Sequence, residues 1–244
     1  MFGQARAQQH RAIPGAVATL GVNERVAFMR KTYIHLVGAV LALAGIDFLL
    51  LSSWSPLYDA ITIPLLNLMM GGRMAWLVVL GAFMGISWLA DKWARSDTSI
   101  GVQYAGLGLY VLAESIILIP MLWMANAKHP GAITGAGMAT LFVFGGLTAT
   151  VFLTKKDFSF MGGILKIAGF GAMGLIVCSL LFGFELGNLF SFAMVLFAGG
   201  YILYQTSQIA AHWRPTQHVA AALALFSSVA LLFWYILRIF MSRD

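Results

Sequence analysis

The stretch Val219–Met241 reads VAAALALFSSVALLFWYILRIFM and decides the fold. It carries one charge, Arg238, close to its end. A helix rises about 1.5 Å per residue, so a run of this length crosses a hydrocarbon core of about 30 Å. Two small polar residues, Ser227 and Ser228, sit at its middle with apolar residues on both sides.

Six further hydrophobic runs precede it: Thr32–Leu51, Met74–Ala90, Val102–Trp123, Ile133–Leu153, Gly162–Phe182 and Leu189–Ile209. Each is long enough to cross a bilayer, Met74–Ala90 being the shortest. Backbone polar groups in lipid must be satisfied within the segment, so all seven runs are expected to be helices. The sequence therefore predicts an all-α integral membrane protein with seven transmembrane helices. The 244 residues are 60% hydrophobic and 10% charged, against about 25% charged in soluble domains. The connections are short except Ser52–Arg73, where Pro56 and Pro64 argue against one straight helix.

Residues 1–30 are polar and contain Pro14, several Gln and the charges Arg6, Arg11, Glu24, Arg25 and Arg30. No apolar segment with a small-residue cleavage site follows directly, so a cleaved signal peptide is not expected. The chain divides into a polar cytoplasmic tail over 1–30, ending in a short interfacial helix at Asn23–Arg30, and a seven-helix domain over 31–244.

The net charge of +6 comes from basic residues beside hydrophobic segments. Lipid headgroups and topology explain them, and nucleic acid is not implied. With the amino terminus inside, ten basic residues fall in inner segments: Arg6, Arg11, Arg25, Arg30, Lys31, Lys92, Arg95, Lys155, Lys156 and Arg214. Arg73, Lys128 and Arg243 fall outside. The bias places the amino terminus in the cytoplasm and the carboxyl terminus outside.

Small residues recur where helices are expected to touch: Gly81 and Gly85, Gly145 and Gly146, Gly162 and Gly163, Gly169, Gly171 and Gly174, Gly199 and Gly200. Such residues let backbones approach closely in lipid. Pro120, late in the third helix, is expected to kink it.

Several motifs are excluded by context. Gly169–Gly174 spells G-x-G-x-x-G, but a dinucleotide site needs that spelling between a strand and a helix start, not inside an apolar run. No histidine pair has the i, i+4 spacing with a carboxylate that a helical zinc site requires, so no metal is expected. Cys178 is the sole cysteine, which rules out an intrachain disulfide, and it is expected to be buried. No cofactor is implied, and nothing supports an enzyme.

The acids within the runs are more informative. Glu114 lies near the middle of the third run, where an ionised carboxylate is costly. It must face the interior, pair with a donor, or be protonated. It reads either as an ion- or proton-pathway residue or as a buried helix-to-helix hydrogen bond. Asp47, near the outer end of the first run, is expected to reach the headgroups. Gln205, Thr206, Ser207 and Gln208 form a polar cluster near the inner end of the sixth run. That cluster is either ordinary helix termination or one side of a polar core, with Gln205 facing Ser228.

Four elements together resemble the Bax-inhibitor family, also called the transmembrane Bax inhibitor motif family. They are Arg30-Lys-Thr-Tyr33; Thr154-Lys-Lys-Asp-Phe-Ser159 followed by Gly162-Gly163; Gly199–Ile209; and Leu223–Ile239. Lys155, Lys156, Asp157 and Phe158 form the most specific of these. Their order and spacing hold over roughly Arg30 to Phe240, and the overall size is more like the bacterial branch. The resemblance implies a bundle whose last helix is central and surrounded by the other six, in an inner membrane. It also implies a pH-sensitive Ca2+ leak or association with a membrane-bound AAA protease. In the leak members an aspartate on helix six shares a proton with one on helix seven; those places here are Gln205 and Ser228. Neither can titrate or attract Ca2+ by charge. Losing both acids favours an interaction or regulatory subunit that binds a membrane protease or another membrane complex. The alternative is an ion-conducting protein that uses Glu114 and the Gln205/Ser228 polar core.

Overall fold

A computed structural model describes residues 16–69, 71–96, 99–154 and 156–242. Seven helices are long and apolar enough to span a membrane: α1 (Val22–Leu51), α2 (Arg73–Ala94), α3 (Ile100–Lys128), α4 (Ala132–Thr154), α5 (Met161–Phe182), α6 (Asn188–Ala211) and α7 (His218–Met241). All seven expected runs lie within them. The long connection after α1 is broken, as its prolines require, into a π-turn at Tyr58–Thr62 and a short helix at Ile63–Met69. The Thr62 hydroxyl ties it to α1 by donating to the Leu50 carbonyl at 2.6 Å.

One boundary differs from expectation. The first helix begins at Val22, so the polar residues over 22–30 are its opening turns rather than a separate interfacial helix. Charged side chains end a hydropathy run without ending a helix, which carries on beyond the hydrocarbon. The rest of the expected tail, 1–15, lies outside the described residues.

The last helix is the most deeply buried, with Val219 to Phe226 all shielded. It packs against α1, α3, α4 and α6, and more lightly against α2, while α5 leans on α6 and α2. Its alanine-rich first half shares a core with Leu36 and Ala39 of α1, Ala90 and Ala94 of α2, and Leu107 and Val111 of α3. Its second half packs Leu232, Ile236 and Leu237 with Leu118 and Leu122 of α3, Ala136 of α4 and Ile202 of α6.

The small residues divide into two sets. A side chain at Gly162 would strike the Tyr204 ring at 2.8 Å, and Gly169, Gly199 and Gly200 also sit at helix contacts. Gly81, Gly85, Gly145, Gly146, Gly163, Gly171 and Gly174 do not, for a side chain there would meet open space. They lie on the outer surface, because the sequence pattern marks a small face without saying what covers it. The closest crossing is at Gly106 of α3, where a methyl group would come within 2.5 Å of the Ala90 carbonyl oxygen. Cys178, expected to be buried, is half-buried on α5.

The bundle has a near end, where α1 begins, and a far end. At the near end Val17 donates its amide to the Trp213 carbonyl at 2.8 Å, and Arg95 lies 4.9 Å over the Trp213 ring. At the far end Gly183 closes α5 with a left-handed φ of 80°, a conformation glycine adopts without strain. Arg73 reaches the Gly183 carbonyl, and Arg238 donates to the Leu186 carbonyl.

Candidate polar core and signature loop

Glu114 is buried on α3. Its electrostatic neighbour is Asp47. Asp47, whose place in the sequence suggested that it reaches outward to the headgroups, is 7% exposed and turned inward from α1. The reason lies one turn further on, where Leu50 packs against Ile119 of α3 and Leu66 of the short helix. That contact sets the rotation of α1 and directs Asp47 at α3. Ser115 stands in front of it without closing a hydrogen bond: Oδ1 of Asp47 and Oγ of Ser115 are both buried and unpartnered. Orphaned polar atoms in a protein interior are uncommon and mark a place where a proton, a water or an ion completes the set.

The pair sits at one end of a longer polar file. One turn before Glu114, the Tyr110 ring packs edge-on to Phe226 at 5.9 Å, with its hydroxyl beside Ser87 of α2 and Ser227 of α7. Nearer the α1 end, Asp91 and Arg95 form an ion pair at 2.8 Å, and Gln103 of α3 donates to the Ser96 carbonyl at 2.9 Å. Gln103, Tyr110 and Glu114 are seven and four residues apart, a spacing that places them on one helix face. That spacing was visible in the sequence, but only Glu114 was singled out from it.

Gln205 and Ser228 are not joined by a hydrogen bond. Ser228 is buried and donates back to the Ala224 carbonyl of its own helix at 3.1 Å. Gln205 is half-buried. Its neighbours divide between two tasks. Thr206 faces inward with Tyr33 of α1 and Thr148 of α4, and the hydroxyl oxygens of all three are buried without a closed hydrogen bond. Ser207 and Gln208 instead hold the loop before α5.

That loop holds Lys156, Asp157 and Phe158 of the element that the resemblance marks as a signature. The Phe158 amide donates to Ser207 Oγ at 3.0 Å, and Gln208 Nε2 donates to Ser159 Oγ at 2.9 Å. Asp157 is its hub, accepting from the amide and hydroxyl of Ser159 and, at 3.4 Å, from Ser207. Burial pushes the Asp157 carboxyl up, but the Ser159 hydrogen bonds outweigh it and hold it below the usual aspartate range. Asp157 and Phe158 are thus structural residues that fasten the α4–α5 connection to the end of α6. Lys156 is exposed, and Lys155 lies outside the described residues.

A cavity opens at the near end between α1, α4 and α6, and Glu114 is not among its lining residues. No cluster of three or more metal-ligating side chains occurs among the described residues.

The family model described as "Inhibitor of apoptosis-promoting Bax1" matches residues 25–244. The chain belongs to the Bax inhibitor family. Among its relatives is an uncharacterized protein of Pseudomonas aeruginosa, 34% identical over 67% of this chain and 72% of that one. The modulator of FtsH protease YccA of Escherichia coli is 29% identical over 77% of this chain and 85% of its own length. Bax inhibitor 1 of Schizosaccharomyces pombe is 28% identical over 91% of this chain and 79% of the relative. The match covers all seven helices, the signature loop and the acid pair, so this Bax-inhibitor-family chain is a multi-pass membrane protein throughout.

Proposed function

We propose that this chain is a non-catalytic regulatory subunit that binds a membrane-bound AAA protease through its helices. The observation that carries this reading is the likeness to the FtsH modulator over most of both chains. The outer surface of α2 supports it. Gly81 and Gly85 lie four residues apart on that surface with nothing against them, a spacing that lets a second helix approach closely in lipid. The excess of basic residues at the near end supports a cytoplasmic amino terminus and an outer carboxyl terminus in an inner membrane.

The test is co-purification from native membranes in mild detergent at native expression. The protease is expected with the wild-type chain and lost with Gly81→Ile/Gly85→Ile. Wild-type protein that migrates alone sinks the reading.

A second reading is ion or proton conduction, favoured by the buried Asp47–Glu114 pair. With Gln205 and Ser228 both neutral, Asp47 and Glu114 are buried carboxyls among the described residues that can titrate in the bundle core. Reconstituted in liposomes with a Ca2+ dye, the protein would show flux between about pH 6 and 8 that Glu114→Gln abolishes. Flux no greater than that of empty liposomes would dismiss it.

A further inference from the structure

The near-end cavity has a volume of about 1130 Å3. Its walls come from three stretches of the chain: the opening turns of α1 with Val17 and Ala18 just before them, the end of α4 with the signature loop, and the end of α6. The walls are of two kinds. One is apolar and includes Val26, Met29, Val151 and Phe152; Val26 is 61% exposed and Phe152 41%, so it opens sideways onto the lipid-facing surface. The other carries Arg25, Arg30 and Lys156. All three are exposed, and none makes an ion pair or side-chain hydrogen bond among the described residues.

Among the described residues the lining contains one acid, Asp157, and its carboxylate is already engaged by Ser159 and Ser207. It therefore leaves an excess of positive charge at the mouth. Deeper in, Tyr33 offers a buried hydroxyl with no partner. An occupant must then be an amphiphile: anionic at one end to meet three free cations, apolar at the other to cover Val26, Met29 and Phe152. It must also be present where helix ends meet the headgroup layer. The segment 1–15 of the chain itself contains Arg6 and Arg11 and no acid, so its charge opposes occupancy.

We propose that this groove binds one anionic phospholipid from the leaflet at the near end, its phosphate among Arg25, Arg30 and Lys156 and an acyl chain along Val26, Met29 and Phe152. Basic pockets between transmembrane helices take anionic headgroups for this reason. The bound lipid joins α1, α4 and α6 at the end where the signature loop fastens α6.

The test is native mass spectrometry of the full chain released from nanodiscs of phosphatidylglycerol or of phosphatidylcholine with identical acyl chains. One phosphatidylglycerol is expected to be retained per chain, well above phosphatidylcholine. The variant Arg25→Gln/Arg30→Gln/Lys156→Gln is expected to lower that retention about tenfold or more while leaving thermal unfolding in phosphatidylcholine unchanged. Met29→Trp, which fills the apolar wall and keeps every charge, is expected to lower it as well. Equal retention of both lipids, or retention unaltered in the triple variant, overturns the proposal. Inorganic phosphate or glycerol phosphate held as tightly as the intact lipid also overturns it, because the acyl chain then contributes nothing.

Discussion

Helices α5 and α7 lie in segments of nearly equal mean hydropathy, 2.1 and 2.2, yet their surroundings are opposite. On α7 the buried set runs from Val219 to Leu237 and wraps around the helix; on α5 it is Gly162 and Leu165 alone. Hydropathy drives a helix into the bilayer but does not choose its neighbours there, because lipid is as apolar as leucine. What separates the two is side-chain size and polarity. Ala220, Ala221, Ala222 and Ala224 let four helices close on α7, and Ser227 and Ser228 face polar or backbone partners within the bundle. On α5 the large side chains Ile164, Ile167 and Phe170 point outward, and most of its glycines meet nothing.

The sharpest way to break this contrast is to put bulk at a glycine of each kind. Gly106→Leu should force α2 and α3 apart, because the new side chain begins against backbone atoms of Ala90 and Ala94. A loss of more than about 4 kcal/mol is expected in unfolding measured in detergent. Gly81→Leu, on the open face of α2, should leave stability unchanged or raise it by about 0.5–1 kcal/mol through helix propensity. Equal effects at the two sites would mean that α2 is seated wrongly.

A smaller contrast comes from truncation. Leu225→Ala, fully buried on α7, should cost about 2–4 kcal/mol. Ile167→Ala, 76% exposed on α5, should stay within about 0.5 kcal/mol. Denaturation in mixed micelles of both variants measures the difference.

Smaller again is the loop. Ser207→Ala removes the acceptor of the Phe158 amide and one contact of Asp157, which should cost about 1 kcal/mol and speed hydrogen exchange at Phe158. The Asp157 carboxyl is held below its unfolded value. Its contribution is therefore complete above about pH 4 and is lost as pH falls through the lower folded value. Exchange at the Phe158 and Ser159 amides should accordingly be flat from neutral pH to about pH 5 in the wild type, after correction for the intrinsic rate.

Much of this was legible in the sequence and some was not, for physical reasons. Spans such as Ile133–Leu153 fall within a residue of the helix ends, because length and apolarity alone determine a crossing. The start of α1 was missed by ten residues, since Glu24, Arg25, Arg30 and Lys31 interrupt hydropathy but not hydrogen bonding. Glu114 stood out because a mid-span acid must find company, but its partner could not be read. Which side of α1 carries Asp47 inward depends on Leu50 meeting Ile119 and Leu66, a contact between residues far apart in the chain. The signature loop was recognisable as a motif; that Asp157 fastens it to Ser207 was not, because the two are fifty residues apart. The basic groove was invisible because three separate segments build it.

Asp47 of α1 and Glu114 of α3 are both buried within the bundle, and Asp47 is the charged neighbour of Glu114. A double-mutant cycle of Asp47→Asn and Glu114→Gln, read by unfolding in detergent, tests this most directly. Contacting groups should depart from additivity by at least about 0.5 kcal/mol. Effects that add within about 0.3 kcal/mol would show that the two acids do not meet and would contradict the account.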